Sequence, residues 1–309
     1  MRRATKGKVQ KFKVVPKFST SNTPGVTVLD VIQRSTEFLT QRDVESPRLQ
    51  VELMLAHLLR MPRLKLYLNF QRELSESELA QSREWVKRRG AREPLQYILG
   101  TWSFCGLEIK CSPVALIPRP ETELLVERSA QFLSTLDSQP LTFLDIGTGT
   151  GCIALALAAK VPNARGVAVD ISSEALALAE ENAVQNHLSG HIDFRVGADV
   201  SRIAQDEPFD LIVSNPPYIP SSEIAALQPE VFQHEPRLAL DGGADGLEVF
   251  RKIAGSAKEF LKPHGKFMGE FSDGQAPALK TLFESEKWIV DEIVDDYSAR
   301  PRILIARLV

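Results

Sequence analysis

Ser214-Asn215-Pro216-Pro217-Tyr218 combines a stiff backbone with side chains that can hold an –NH₂ group. Asn215 and Pro216 each precede a proline, which pushes both toward extended conformations. Neither Pro216 nor Pro217 offers a backbone N–H. The Asn215 side-chain oxygen and the Pro216 carbonyl can therefore converge on one amino group, with Tyr218 stacked against the planar system that carries it. An amide or aromatic-amine nitrogen is a poor nucleophile, because its lone pair is delocalised. Two acceptors on its hydrogens aim that lone pair and stabilise positive charge as the nitrogen is alkylated. No strong base is needed beforehand, and none is evident in the segment.

A second segment, Asp145-Ile146-Gly147-Thr148-Gly149-Thr150-Gly151, places glycines at alternate positions between a short apolar run and a helical one. Glycine lets a chain turn sharply and approach a ligand without a Cβ in the way. Ligands of open α/β sheets bind where such turns lie, at the carboxyl ends of strands. The dinucleotide fingerprint GxGxxG fails here by one residue, because its third glycine position is Cys152. The GxGxG spacing instead resembles the turn of class I methyltransferases, whose cofactor is S-adenosylmethionine. Asp170 follows the apolar run Val167-Ala168-Val169 and can accept hydrogen bonds from both ribose hydroxyls of that cofactor. Asp199 and Val200 follow the next strand and fall beside the adenine in this fold; Asp199 reads either as an acceptor for the exocyclic amine or as a turn cap. The candidate cofactor contacts are thus Gly147, Thr148, Gly149, Thr150, Gly151, Asp170, Asp199, Val200 and Asn215. With an electrophilic methyl donor on one side and Asn215 on the other, methylation of nitrogen is the indicated reaction.

The surrounding pattern supplies elements able to position these groups. From Val26 to about Gly90 apolar residues recur at helical spacing, with Val28, Val31, Ile32 and Leu39 on one stripe and Val51, Met54 and Leu55 on another. Ser75 and Glu78 read as a capping box. Between Pro94 and Pro118 the pattern alternates on either side of Cys105-Gly106, which predicts a β-hairpin linking two domains, with Tyr97–Phe104 as its first arm. From Leu141 strands and helices alternate: strands at 141–146, 166–169, 192–196, 209–213 and 266–271, helices at 152–160, 173–186, 246–261 and 276–284. Two final strands, 289–294 and 302–308, have no helix between them and can pair antiparallel. The prediction is a Rossmann-like α/β fold, a seven-stranded mostly parallel sheet covered by helices, with a small N-terminal helical bundle. The expected division is 1–25 as a basic tail, 26–93 helical, 94–117 hairpin and 118–309 catalytic.

Composition excludes several other classes. The 309 residues are 43% apolar and 25% charged with net charge −3, values of a globular protein without a nucleic-acid footprint. No stretch approaches the roughly 20 apolar residues of a membrane span. Cys105, Cys111 and Cys152 show no CxxC pattern, and the five histidines form no HExxH group, so no metal site is expected. The expected home is the cytoplasm. The segment 1–20 carries Arg2, Arg3, Lys6, Lys8, Lys11, Lys13 and Lys17 without an acid. It reads as a flexible basic tail, with an RNA or ribosome contact and an organelle-targeting peptide as alternatives.

Taken together, the chain beyond residue 25 resembles the HemK/PrmC family, the release-factor glutamine methyltransferases. The likeness rests on Asp145–Gly151 and Asn215–Tyr218, and on Pro94–Gly100, Ile117–Glu123, His234–Pro236, Ala239–Gly243 and Asp245–Leu247. It implies methylation at N5 of the glutamine in the Gly-Gly-Gln loop of class 1 peptide release factors. Asn215 and Pro216 would hold the amide, Tyr218 would pack against it, Pro217 is a further substrate-binding candidate, and the helical domain would help dock the release factor. Arg119, Glu121 and Glu235 stand in family motifs near the presumed cleft, either as direct substrate contacts or as interdomain or loop-fixing ion pairs. Family members often carry an aromatic residue where this chain has Val200, so adenine stacking would be weaker here. Two rivals share part of the signature. A ribosomal-protein glutamine methyltransferase usually has a Pro-Arg-Ser-Pro segment where this chain reads Pro118-Arg119-Pro120-Glu121. An adenine-N6 or guanine-N2 nucleic-acid methyltransferase would need a recognition domain with a basic stripe, which the helical region lacks.

Overall fold

The computed structural model describes residues 25–137, 139–197 and 208–309. The expected tail contacts and the Asp199 and Val200 positions lie outside these residues. The described residues fall into two compact units, divided between Leu99 and Gly100.

The first unit is helical: α1 (Val28–Thr40), α2 (Pro47–Leu58), α3 (Arg63–Leu68), α4 (Glu76–Gly90) and α5 (Leu95–Leu99). Capping boxes start two of them. The Thr27 hydroxyl accepts from the Asp30 N–H while the Asp30 carboxylate accepts from the Thr27 N–H, and Ser75 and Glu78 repeat this before α4. Val28, Val31, Ile32, Leu39, Val51, Met54 and Leu55 form its buried core, as their spacing predicts. The buried carboxylate of Glu52 is held by Arg48 at 2.9 Å, Arg63 at 2.8 Å and the Tyr67 hydroxyl at 3.0 Å.

The hairpin is shorter than the sequence pattern suggests. Tyr97–Leu99 is helical: the Tyr97 and Ile98 N–H groups bond the Pro94 carbonyl, and Gly100 at φ 79° ends the turn. Only β1 (Thr101–Phe104) and β2 (Leu107–Lys110) pair, joined by Cys105 at φ 49° and Gly106 at φ 81°. Two consecutive positive φ values make the tight turn whose twist matches antiparallel strands.

The second unit continues with α6 (Pro120–Ser134), β3 (Leu141–Ile146), α7 (Cys152–Lys160), β4 (Ala164–Asp170), α8 (Ser173–Gln185), β5 (Ile192–Val196), β6 (Phe209–Ser214), α9 (Pro229–His234), α10 (Glu248–Ser256), β7 (Leu261–Glu270), α11 (Ala276–Ser285), β8 (Trp288–Asp295) and β9 (Pro301–Leu308). The helix expected to reach residue 261 stops at Ser256, and β7 starts at Leu261 opposite Phe209. The seven strands lie in the order β5-β4-β3-β6-β7-β9-β8. β9 runs antiparallel between β7 and β8, and the other neighbours are parallel. One face packs on α6 and α7 through Leu125, Leu133, Phe143, Ile153 and Leu157; the other packs on α10 and α11 through Phe250, Ile253, Phe267, Phe283 and Trp288.

This topology sets the site. The chain leaves β3 toward β4 on one side, then returns to β6 on the other, so a crevice opens where the order reverses. Ile146 and Ser214 are partners in the β3–β6 ladder, and the Ser214 hydroxyl donates to the Ile146 carbonyl at 2.7 Å. The Gly-rich turn and the Asn-Pro-Pro-Tyr segment therefore leave the sheet side by side.

Candidate active site

A cavity of about 630 Å³ lies at these strand ends, within the usual size of small-molecule sites. Its wall includes Gly147, Thr148, Gly149, Thr150, Asp170, Asn215, Pro217 and Arg119. The glycine turn is tied to the next strand, because the Gly147 and Thr148 N–H groups both donate to the Val169 carbonyl. Its glycines do different work. A Cβ at Gly147 would meet no atom within 4 Å, whereas one at Gly151 would stand 3.0 Å from the Ala179 Cβ. Gly151 is absent from the wall: it lets the turn close onto α8 and does not itself face the cavity.

Asp170 ends β4. Its carboxylate accepts from the Gly149 N–H at 2.8 Å and the Ser172 N–H at 2.9 Å, and burial raises its pKa against these bonds. Each oxygen retains a lone pair for a further donor. Beside it, Ile171 offers an apolar, half-exposed surface on the wall. Asp145 at the end of β3 is fully buried and accepts from the Thr148 hydroxyl at 2.7 Å; burial pushes its carboxyl up to about 7. The Asn182 amide on α8 donates to the Thr150 carbonyl at 2.9 Å and accepts from the Lys110 N–H at 2.7 Å, joining the turn to the hairpin edge.

On the β6 side, the Asn215 amide donates to the Thr122 hydroxyl at 3.1 Å. Its oxygen is buried and meets no protein donor. A buried acceptor without a partner costs roughly 1–3 kcal/mol, and here it belongs to a residue of the cavity wall. Pro216 is buried, and Tyr218 is off the wall: its ring packs on the apolar layer, while its hydroxyl donates to Glu270 at 3.4 Å. Burial raises the Tyr218 pKa.

Arg119 and Glu235 form one ion pair, and the second Glu235 oxygen accepts from the Ile117 N–H at 3.2 Å. Glu235 is buried with both oxygens engaged, so it fixes the 117–119 segment that forms one side of the cavity. Glu121 is exposed and stands off the wall. Thr122, Ile171 and Glu270 were not singled out as candidates from the sequence. Thr122 lies inside the 117–123 motif, which is a signal for it. Glu270 ends a strand with no motif around it, and only the register of β7 against β6 shows its place.

Two family models match the chain. The PrmC N-terminal domain matches residues 30–100, and the methyltransferase small domain matches residues 125–244. A release factor glutamine methyltransferase from Geobacter sulfurreducens is 44% identical over 257 residues, covering 83% of this chain and 88% of its own. This chain belongs to the release factor glutamine methyltransferase family. The release factor glutamine methyltransferase of Chlorobaculum tepidum is 39% identical over 282 residues, 89% of this chain and 95% of that one. Among solved structures, the hMettl16 catalytic domain in complex with MAT2A 3'UTR hairpin 1 superposes with a TM-score of 0.55 over 82% of this chain and 91% of its own, at 18% identity. That likeness shows the shared fold. Release factor glutamine methyltransferases are class I enzymes, and the Gly-rich turn, the acid ending β4 and the segment after β6 form one wall in this member. Among the described residues no helix is long and apolar enough to cross a membrane, and no group of three or more His, Cys, Asp or Glu could hold a metal ion.

Proposed function

We propose that this chain transfers a methyl group from S-adenosylmethionine to the N5 amide nitrogen of the glutamine in the Gly-Gly-Gln loop of class 1 peptide release factors. The observation that carries the reading is the unpartnered, buried Asn215 oxygen on the wall of a cavity that also holds the Gly-rich turn and Asp170. The residues fit the cofactor: Gly147 and Gly149 leave open backbone, and Asp170 has lone pairs free for ribose hydroxyls. Bound there, S-adenosylmethionine supplies an electrophilic methyl group on a sulfonium.

The chain's own residues supply the rest. The Asn215 oxygen accepts one hydrogen of the substrate amide, and the Pro216 carbonyl accepts the other. Both become stronger partners as positive charge grows on nitrogen, so they stabilise the transition state more than the ground state. Tyr218 forms the floor under this segment, held by Glu270. Arg119, steadied by Glu235, keeps the cavity side formed by residues 117–119 in place. The helical unit is the docking module for the body of the release factor, residues 94–117 link it to the catalytic part, and the cytoplasm is the proposed home.

The test is a methyl-transfer assay with labelled S-adenosylmethionine on a class 1 release factor, its Gln→Ala variant in the Gly-Gly-Gln loop, a ribosomal-protein substrate and duplex DNA. Label on the native factor alone is the expected result. Label on the Gln→Ala variant, on the ribosomal protein or on DNA would overturn the substrate assignment.

A further inference from the structure

The two ends of an asparagine amide have nearly the same shape, so hydrogen bonding alone decides which end faces a cavity. Around Asn215 that decision comes from residues that do not themselves need to touch substrate. Asn215 donates through Nδ2 to the Thr122 hydroxyl at 3.1 Å. A hydroxyl has one hydrogen, and with a lone pair engaged by Asn215 it turns that hydrogen to another acceptor. The acceptor it faces is the Glu270 carboxylate, one oxygen of which accepts from the Tyr218 hydroxyl at 3.4 Å while the other is buried without a donor. An ionised carboxylate accepts and never donates, so a Thr122 hydrogen turned toward that unmet oxygen fixes the order one way, from Asn215 to Thr122 to Glu270.

The sheet places these groups together. Gly269 pairs with Ser214 across β6 and β7, so Glu270 and Asn215 are the next residues on adjacent strand ends. Thr122 comes from the first turn of α6 and is 2% exposed; Glu270 is 1% exposed. The outcome is visible at the far end, where the Asn215 oxygen is buried and has no protein partner. Burial pushes the Glu270 carboxyl up to about 7, and a neighbouring Glu121 charge adds to this, while Thr122, Tyr218 and the Arg302 charge favour ionisation.

We propose that Thr122 and Glu270 are positioning residues for methyl transfer, holding the Asn215 amide with its oxygen toward the substrate nitrogen. The proposal rests on the reading of Asn215 as the acceptor of the substrate amide. With the carboxylate or the hydroxyl gone, nothing opposes the flipped amide. The flipped form presents –NH₂ to the substrate –NH₂ and leaves the lone pair unaimed. Thr122→Val keeps shape and removes the hydroxyl, and Thr122→Ser keeps the hydroxyl. Glu270→Gln can donate to Thr122 as well as accept, so it relaxes the direction without emptying the space.

The experiment compares kcat and KM of the full chain and its variants on a class 1 release factor, with cofactor affinity by calorimetry and thermal unfolding as a check on folding. Thr122→Val should lower kcat roughly ten- to a hundred-fold, less than direct loss of a charge-stabilising contact. KM and cofactor affinity should stay within about two-fold, because neither depends on the flip. Thr122→Ser should restore most of the rate. In the native chain kcat should rise with pH as Glu270 ionises, and in Glu270→Gln that limb should be flat. A native chain that leaves the release factor unlabelled overturns the functional reading and this proposal with it. Labelling by the native chain with undiminished kcat in Thr122→Val, or equal loss in the Ser and Val variants, overturns the positioning role alone. Should Thr122→Val fail to fold, the Glu270→Gln pH profile decides: an unchanged ascending limb refutes the proposal.

Discussion

Alanine at Gly147 and at Gly151 should damage two different properties. Both glycines are left-handed, at φ 74° and 79°, so either substitution carries a backbone cost of about 1–2 kcal/mol. At Gly147 nothing is added, because the new Cβ meets no protein atom within 4 Å. At Gly151 the new Cβ stands 3.0 Å from the Ala179 Cβ, 3.4 Å from its Cα and 3.4 Å from the Leu155 methyl. Two of those contacts involve α8 and the third a fully buried side chain, so the neighbours cannot simply rotate away. Overpacking of this kind adds about 1–3 kcal/mol. Urea unfolding should therefore show a loss of about 1–2 kcal/mol for Gly147→Ala and about 2–5 kcal/mol for Gly151→Ala. Calorimetry with S-adenosylmethionine should rank them the other way relative to their stability cost. Gly147 is on the cavity wall and its open space is what a ligand would occupy, so Gly147→Ala should weaken binding at least roughly ten-fold, about 1.4 kcal/mol. Unchanged affinity in folded Gly147→Ala, or equal stability losses in the two variants, would refute the division of labour drawn from the turn.

Three further outcomes are expected. Asn215→Ala should abolish methyl transfer while leaving cofactor affinity largely intact, and near-normal turnover would sink its assigned role. Asp170→Ala should weaken S-adenosylmethionine binding by about 1–3 kcal/mol, the range for charge-assisted hydrogen bonds, with unchanged calorimetric affinity as the contrary result. Glu270→Gln should change how stability depends on pH. The folded-state pKa of Glu270 is raised from 4.5 to about 7, so between these values the native state binds the extra proton and stability falls as pH rises. Removing the acid should stabilise the chain progressively over that window, by at most about 3 kcal/mol. Native and Gln curves that stay parallel from pH 4.5 to 7 would contradict the buried carboxyl.

Much of the fold is legible because period and punctuation agree. The strands at 141–146 and 209–214 are mainly apolar runs too short for helices, Ile192-Asp193-Phe194-Arg195-Val196 alternates with the period of a strand, and α7 and α8 open on a glycine turn and a Ser172 cap. Positions 97–99 show where the pattern fails. Tyr97-Ile98-Leu99 is an apolar triplet that suits a strand or one helical turn equally. Pro94, as an acceptor three and four residues back, and Gly100, with its positive φ, decide for the helix. Neither signal has a periodicity. The strand β7 raises the same difficulty, since Pro263, His264 and Gly265 interrupt it and only the pairing with β6 shows that Leu261 already belongs to the sheet.

The site divides along a different line. Motifs carry backbone demands, and those can be read directly: left-handed glycines, a proline pair, an acid at a strand end. What a motif cannot carry is the partner that gives an isolated side chain its direction. Glu235 lies far along the chain from Arg119 and Ile117, yet both of its oxygens are used there, so an apparent substrate contact is a brace for the cavity side. Thr122 and Glu270 come from α6 and β7, and the first is bonded by Asn215, the second by Tyr218. Their influence would be exerted through the orientation of one amide, a property with no sequence signature. The Asn-Pro-Pro-Tyr segment supplies a stiff backbone that can offer two acceptors, but its own residues leave the Asn215 amide free to present either end. The carboxylate on the neighbouring strand removes that freedom, which makes the reactive face of the motif a property of the sheet as much as of the motif.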